Sequence, residues 1–373
     1  MILQAIYILV FSSYAALIIA ITMGWWKLKP YNSKSPPYNS KVSILVAVRN
    51  EAENISPIIK SLSNQDYPAH LLDVILIDDH STDATVGLVK AQIIDLMNFK
   101  LISLDSENAK GKKAAINHGV EASVGELILI TDADCTTGIS WVSTMVSFYE
   151  EHKPHLILGP VRMTNDGTFL GKFQSVEFSS LISSAAGSCN AGFPLMANGA
   201  NMAFTREAYD TCNGFAGNFK YPSGDDMFLM MGIKKHFGAK EIRFLRSERA
   251  IVSTPATSGF VQFIQQRLRW VSKSRGYTDH LLIVSSIVVF LANGLLVVSA
   301  LSAVISHTYL IPFIAIYTFK IIVDFPLMLS FNRFQGSRIL LWLFPFTELL
   351  NAAYTLDIGI AGNIWKYEWK GRK

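Results

Sequence analysis

Three short acidic motifs are the residues of this chain best suited to chemistry. They are Asp78-Asp79, Asp132-Ala133-Asp134 and Asp225-Asp226. A hard divalent cation takes oxygen ligands, so the carboxylates of Asp132 and Asp134 can share one cation. A solvated turn at the end of a strand is the structural alternative. Because the second motif closes an apolar run and another acidic motif lies upstream, we favour a functional site.

A fourth motif, Gln266-x-x-Arg269-Trp270, combines an amide, a guanidinium and an indole. On a helix, Gln266 and Arg269 are i, i+3 neighbours on one face. Together these two side chains can bind a phosphate group, and Trp270 offers a stacking surface. An interfacial helix with a Trp anchor and snorkelling arginines is the alternative interpretation.

The elements that must position the acidic motifs alternate between strand and helix. Runs of four to seven apolar residues separated by helical patterns indicate a parallel sheet with helices on both faces. The predicted strands are 42–48, 74–77, 101–104 and 127–130, and the predicted helices are 53–62, 83–96 and 112–122. In such a sheet, ligands bind at the carboxyl ends of the strands, where Asp78, Asp79 and Asp132 lie.

The following part of the chain is less regular. Residues 160–222 are rich in Gly, Ala, Ser and Asn, and within them 198–204 is predicted to be a turn leading into a strand. Residues 225–237 are predicted to be a helix. Residues 260–277 are predicted to be an amphipathic helix with Arg267 away from its apolar face, lying in a membrane interface.

Membrane-length apolar segments flank this region. Residues 1–26 carry no charged side chain, which is enough to span a hydrocarbon core of about 30 Å. A signal peptide is the alternative, but no basic residue precedes the run. Two further spans are predicted at 281–305 and 309–331. A third segment, 339–365, contains Glu348 and Asp357 and is either a crossing or a re-entrant or interfacial segment.

Charge and cysteine content argue against a nucleic-acid-binding protein and against a disulfide-stabilised one. Charged residues make up 17% of the chain, against about 25% in soluble domains. The net charge of +4 is mild, so we expect no nucleic-acid partner and instead contact with anionic membrane lipids. The three cysteines lack metal spacing and do not indicate a disulfide framework.

The four motifs, in this order and with these flanking segments, resemble a membrane-bound family 2 glycosyltransferase of the D…DxD…DD…QxxRW type. The resemblance covers residues 41–275. It implies a GT-A fold and inverting transfer of a sugar from a nucleotide-diphosphate sugar, a UDP-sugar, with Mg²⁺ or Mn²⁺ as the cofactor. The chain departs from the family pattern in lacking a proline at Val46 or Ala47 and in having Asp225 where the family has Glu.

Carried over residue by residue, the resemblance implies a set of roles. The metal ligand is chiefly Asp134, with Asp132. Asp226 is the general base beside Asp225, although an N-cap role for Asp225 is compatible with this. The leaving diphosphate is held by Gln266 and Arg269, with Trp270 at the acceptor. The residues implied in nucleotide-sugar binding are Ala47, Arg49, Glu51, Asp78, Asp79, Lys112 and Asp132.

The family contains both lipid glycosyltransferases and processive polysaccharide synthases of the cellulose, chitin, hyaluronan or poly-N-acetylglucosamine kind. Few predicted spans are available to form a polymer channel, so a membrane lipid is favoured over a glycan as the acceptor. A catalytically inactive scaffold is the remote alternative, disfavoured because every expected acid is present.

The predicted localisation is a multi-pass protein of a bacterial cell membrane with a cytosolic catalytic domain. Lys27 and Lys29 after the first span support this orientation. The predicted organisation is a first span at 1–26, a linker at 27–40, a GT-A domain at 41–250, an interfacial region at 251–280, membrane segments at 281–365 and a basic tail at 366–373.

Overall fold

All strands of the described residues lie in one unit of the chain, formed by Leu28–Thr164 and Met196–Pro255, which we call the sheet unit. The computed structural model describes residues 1–33, 38–105, 110–216, 223–337 and 342–362. Met1–Lys27, Asn165–Leu195 and Ala256–Lys373 make up a second compact unit, the helical unit.

The sheet unit contains a large and a small sheet. Its strands are β1 (Val42–Val48), β2 (Leu72–Asp78), β3 (Phe99–Ser103), β4 (Leu127–Asp132), β5 (Thr136–Thr137), β6 (Leu156–Leu158), β7 (Val161–Thr164), β8 (Met202–Thr205), β9 (Ile242–Phe244) and β10 (Val252–Pro255). Its helices are α2 (Ile55–Ser63), α3 (Thr85–Ile93), α4 (Lys112–Ala122), α5 (Trp141–His152), α7 (Arg206–Thr211) and α8 (Asp225–Phe237).

The large sheet has the strand order β3-β2-β1-β4-β8-β6-β9. The pairs among β3, β2, β1 and β4 are parallel, and β8 runs antiparallel to β4 and β6. Every residue of β2 is buried, as expected for a strand covered on both faces. The predicted mostly parallel α/β sheet is therefore confirmed. The small sheet has the order β5-β10-β7.

Several predicted elements agree closely with the structure. Strand β1 and helix α4 have the predicted bounds, and α8 spans Asp225–Phe237 as expected. Helix α3 is shorter than the predicted 83–96 because it begins only at Thr85, after the loop that carries Asp83, and ends at Ile93.

The prediction of irregular structure over 160–222 is wrong for residues 169–190. They form the 22-residue helix α6 (Phe169–Asn190), which begins after Thr168, whose hydroxyl accepts the Gly171 N–H at 3.0 Å. Most of α6 is buried, so its sequence lacks the polar stripe by which a helix is normally recognised. Small residues permit this burial: a Cβ on Gly187 would lie 2.2 Å from the Ile21 carbonyl oxygen.

The described residues of the helical unit contain α1, α6 and four C-terminal α-helices. They are α1 (Ile2–Lys27), α6, α9 (Phe260–Ser272), α10 (His280–Ile305), α11 (Leu310–Phe334) and α12 (Phe344–Ala361). Within the described residues, three helical segments are long and apolar enough to cross a membrane: Ile2–Lys27, His280–Ile305 and His307–Phe334. These agree with the three spans predicted at 1–26, 281–305 and 309–331.

The third C-terminal segment forms a shorter helix. Helix α12 has 18 residues and is not among the candidate spans of the part of the chain that the structure describes. Glu348 is buried within the helical unit, whereas Asp357 is exposed. The ends of the predicted segment 339–365, the basic tail 366–373 and residues 34–37 of the predicted linker lie outside the described residues.

Candidate active site

The acidic motifs of the sheet unit meet at one edge of the large sheet because the strands before them are parallel neighbours. In the register of β1 with β2, Val48 lies opposite Asp78, and in that of β1 with β4, Ala47 lies opposite Asp132. The ends of β2 and β4 therefore bring Asp78 and Asp132 to either side of β1. This is the carboxyl edge, where ligands bind in open α/β sheets.

The two aspartates at the end of β2 have different surroundings. The Asp78 carboxylate is buried and accepts the backbone N–H of Ser81 at 3.2 Å, which holds the turn after the strand. The Asp79 carboxylate accepts the backbone N–H of Gly111 at 3.1 Å, immediately before α4. Asp78 thus holds the turn after β2, and Asp79 joins the β2 loop to the residue that precedes Lys112, the first residue of α4.

The loop after β1 is fastened to the loop after β2. One guanidinium nitrogen of Arg49 donates to the Asp79 carbonyl oxygen at 2.6 Å. The Glu51 backbone N–H donates to the Thr85 hydroxyl at 2.8 Å, and Asp83 accepts the N–H groups of Thr85 and Ala52. Although burial opposes it, this hydrogen bonding lowers the pKa of Asp83. The predicted nucleotide-binding residues Arg49 and Glu51 thus lie in a hydrogen-bonded pair of loops.

Lys112 is the centre of an ion-pair cluster. Its ammonium lies 2.5 Å from Asp132 Oδ1 and 3.4 Å from Asp225 Oδ2. Burial alone would lower the pKa of Lys112, but Asp132 and Asp225 outweigh it and raise the pKa above its usual value. Lys112 is therefore a permanent cation that joins the acidic motif after β4 to the one that opens α8.

The residues Asp132, Asp134 and Cys135 form a candidate metal site. One ligand atom from each lies within 4.8 Å of the others. Cys135 is fully buried, its thiol donates to Asp134 Oδ1 at 3.6 Å, and burial raises its pKa. The two partly exposed carboxylates therefore supply the anionic donors, and this oxygen donor set fits Mg²⁺ or Mn²⁺.

The acidic pair at the start of α8 does not provide the helix cap. Gly224, with φ of 93°, is the N-cap, and Asp225 is the first helical residue with its carboxylate near Lys112. The prediction that Asp225 caps the helix is therefore wrong. Glycine is suited to a cap in this left-handed conformation. Because Gly224 is the cap, the Asp225 carboxylate can contact the Lys112 ammonium. Asp226 follows, partly exposed, with Oδ1 accepting the Met227 N–H at 2.7 Å.

A glycine that the sequence interpretation did not single out sits against this cluster. A Cβ on Gly199 would lie 3.1 Å from Lys112 Nζ, 3.2 Å from Asp225 Oδ2 and 3.7 Å from Asp226 Cβ. Asn201 anchors the same turn, because its amide donates to the Pro160 and Ala250 carbonyls and accepts from the Trp141 indole. The signal for both was the Asn-Gly-Ala-Asn turn at 198–201.

We expect Gly199→Ala to impair the site without unfolding the protein. The added methyl group would press on Lys112 and Asp225, which must give by a few tenths of an ångström. A misplacement of about 1 Å can cost about a hundred-fold in rate, so we expect a smaller loss of about ten-fold. Gly87→Ala in α3 is the matched control, because a Cβ there meets nothing within 4 Å. Initial rates and melting temperatures of both variants test this. An unchanged rate for Gly199→Ala would contradict it.

The Gln266-x-x-Arg269-Trp270 motif lies on α9, in the helical unit, and not in the sheet unit that holds the acids. The Gln266 side-chain oxygen accepts from Arg267, and Arg269 and Trp270 are half-buried. The structure thus brings Asp132, Lys112 and Asp225 together in one unit and places the fourth motif in the other.

Arg267 was predicted to lie on the polar face of α9, but the structure buries it. It is 1% exposed, donates to Glu177 of α6 at 2.6 Å and lies 4.1 Å from the Trp270 ring centre. The sequence could not show this, because the partner carboxylate is 90 residues away along the chain. Arg267 is therefore a packing residue of α9, whereas Arg269 remains the predicted phosphate ligand.

Part of this chain is similar to known glycosyltransferases. The family described as Glycosyl transferase family 2 matches residues 43–212. Over 112 residues the chain is 31% identical to the Beta-monoglucosyldiacylglycerol synthase of Nostoc, covering 30% of this chain and 24% of that protein. It is 28% identical over 142 residues to the Poly-beta-1,6-N-acetyl-D-glucosamine synthase of Staphylococcus epidermidis, covering 38% and 33%.

One solved structure matches nearly the whole chain. It is the mannosyltransferase PcManGT from Pyrobaculum calidifontis, in complex with GDP-Man and Mn²⁺, with a TM-score of 0.64, 17% identity, and coverage of 97% of this chain and 99% of that one. The chain spans less than half the length of the curated relatives it matches. The fold is GT-A-like, and residues 43–212, which include Asp78, Asp79, Lys112, Asp132 and Asp134, match glycosyl transferase family 2.

Proposed function

We propose that this protein transfers a sugar from a nucleotide-diphosphate sugar, a UDP-sugar, to a hydroxyl group of a membrane lipid at the cytosolic face, with inversion at the anomeric carbon. The observation that carries this proposal is the ion-pair cluster of Asp132, Lys112 and Asp225 at the carboxyl edge of the sheet, where Asp132 and Lys112 lie within the residues that match family 2. Asp134 and Asp226 flank the cluster in sequence. One edge of the sheet thus holds groups suited to a cation, a diphosphate and an acceptor hydroxyl.

Each acid has a distinct role in this proposal. Asp134, with Asp132, holds Mg²⁺ or Mn²⁺, which when bound supplies positive charge to the leaving diphosphate. Asp226 accepts the proton of the acceptor hydroxyl. The acceptor oxygen then forms a bond to the anomeric carbon while the bond from that carbon to the diphosphate oxygen breaks, and the nucleoside diphosphate leaves with the electron pair.

The remaining residues orient the donor. The buried carboxylate of Asp79 is assigned to the nucleotide base of the donor. The backbone N–H groups at the start of α4 lie beside Lys112. A cation and a helix N-terminus both favour a bound phosphate group. Gln266 and Arg269 are assigned to the leaving diphosphate by the family resemblance alone, and Trp270 to the acceptor on the same ground.

A lipid acceptor is supported by the helical unit. It supplies three helices long enough to span a membrane, and one relative with a matching domain is named for a glucosyldiacylglycerol product. The synthase named for poly-beta-1,6-N-acetyl-D-glucosamine supports a polymer product as the second candidate. A polymer must also cross the membrane, and three candidate spans in the described residues are few for a channel.

The partition of labelled product separates these two candidates. Membranes containing the protein would be incubated separately with radiolabelled UDP-glucose, UDP-galactose, UDP-N-acetylglucosamine and GDP-mannose, in the presence of Mg²⁺ or Mn²⁺. The proposal predicts label in a small product that is extracted into organic solvent and that is not formed after chelation of the metal. Label in a large water-soluble polymer would support the synthase instead.

A further inference from the structure

The Lys112 ammonium is bound to a carboxylate that also belongs to the candidate metal site. Asp132 Oδ1 lies 2.5 Å from Lys112 Nζ, and the Asp132 carboxylate is grouped with Asp134 and Cys135 within 4.8 Å. The side chains of Lys112 and Asp132 are 26% and 38% exposed. Solvent and a cation can therefore reach both partners of this ion pair.

The position of Lys112 is fixed from the backbone side. Lys112 is the first residue of α4, after Gly111 with φ of 96°, and the Gly111 N–H donates to Asp79. The side chain extends from this point to carboxylates on two separate elements, β4 and α8. Asp132, Asp225 and Asp226 all attract the ammonium, so it is the counter-ion of an acidic cluster.

A divalent cation and this ammonium would compete for the same cluster of carboxylates. Both are attracted to the carboxylate oxygens of Asp132, and because both are positively charged they repel each other at close range. A bound diphosphate would relieve this repulsion, because it offers the ammonium an alternative anionic partner.

We infer that Lys112 competes with the divalent cation for Asp132 when no nucleotide is present and releases Asp132 to the cation when a nucleotide diphosphate binds. This inference rests on the proposed nucleotide-sugar site. Lys112 thereby couples the two ligands: the metal alone binds weakly, and the nucleotide strengthens metal binding. By linkage, the metal strengthens nucleotide binding by the same factor.

Binding of Mn²⁺ alone to the full-length protein in detergent tests this inference, with free Mn²⁺ measured by its electron paramagnetic resonance signal. Removal of the ammonium in Lys112→Met should tighten Mn²⁺ binding by at least about ten-fold, because it removes a positive charge that is bound to a metal-ligand carboxylate. Lys100→Met is the matched control. Lys100 lies 3.1 Å from Asp73 on neighbouring strands, so the control also removes one ammonium from a Lys–Asp pair.

Two further variants keep the test decisive. Lys112→Gln replaces Lys112→Met if the latter does not fold, and Lys112→Arg, which keeps the charge, should bind Mn²⁺ as weakly as the wild type. Added UDP should strengthen Mn²⁺ binding in the wild type and have a much smaller effect in Lys112→Met. The inference is overturned if Lys112→Met and Lys112→Gln bind Mn²⁺ no more tightly than the wild type and Lys100→Met.

The outcome of the Mn²⁺-binding experiment does not depend on whether the protein transfers sugar. Metal binding without nucleotide is measured in the absence of any donor or acceptor, so tighter binding in Lys112→Met would support the competition even if no sugar transfer were found. Sugar transfer by the wild type together with unchanged Mn²⁺ binding in Lys112→Met would leave the proposed function standing and remove the competition.

Discussion

Asp226→Asn should lower the rate of sugar transfer by about 10²- to 10⁴-fold, which is the contribution of a general base. An amide cannot accept the proton of the acceptor hydroxyl. The fold should be retained, because Asn Oδ1 can still accept the Met227 N–H that the Asp226 carboxylate accepts at 2.7 Å. Initial rates at saturating donor and acceptor measure this effect, and binding of the nucleotide should change much less than the rate.

Asp210→Asn provides the matched control for this variant. Asp210 is an exposed residue of α7 in the same unit, so it undergoes the same change of charge away from the acidic edge. The control should keep the wild-type rate. If Asp226→Asn transferred sugar at the rate of Asp210→Asn, the assignment of the base would be wrong.

Lys320→Met should destabilise the helical unit by about 3–5 kcal/mol, the effect of removing one partner of a buried ion pair. Lys320 is 2% exposed on α11 and donates to Asp324 at 2.8 Å, to Glu348 of α12, and to the Tyr14 hydroxyl of α1 at 3.0 Å. Tyr14 in turn donates to Asp324 at 2.8 Å. The substitution would leave two buried carboxylates without their cation.

Denaturation of the purified protein in detergent micelles measures this loss. Lys27→Met, at the exposed end of α1, should change the free energy of unfolding by less than about 0.5 kcal/mol. A triple variant, Lys320→Met with Asp324→Asn and Glu348→Gln, should recover much of the stability because no unpaired charge remains. Equal stability of Lys320→Met and Lys27→Met would show that the network does not hold the helices together.

The fold of the sheet unit could be predicted because its signals are local. Short apolar runs between helical patterns indicated a parallel sheet, and the bounds of β1 and α4 followed directly. Helix α6 escaped prediction because burial on most sides removes the periodic contrast between apolar and polar positions. Its sequence, rich in Ser, Ala and Gly, was interpreted as irregular for that reason.

Charge pairing between elements was not accessible from the sequence. Glu177 and Arg267 are 90 residues apart, and Lys320 and Glu348 are 28 residues apart. Nothing local marks these residues as partners, since the packing of helices alone brings them together. Arg267 was consequently expected on the polar face of α9, although it is buried.

The candidate site was predictable in part. The order of the acidic motifs and their positions after β2 and β4 located the edge of the sheet. The cap role of Gly224 and the close approach of Gly199 to Lys112 depend on tertiary contacts and required the structure. The roles of Asp134, Asp226, Gln266 and Arg269 are still predictions, and substitutions of Asp226 and Asp134 test the first two.

Release of nucleoside diphosphate shows whether this protein transfers sugar from a nucleotide-diphosphate donor. Wild-type protein in membranes would be incubated with each sugar nucleotide, and the released UDP or GDP compared with that from Asp226→Asn and Asp134→Asn. We expect metal-dependent release by the wild type with at least one donor, matched by sugar transferred to an acceptor, and little release by either variant. Wild-type release no faster than that of both folded variants, with every donor, would contradict it.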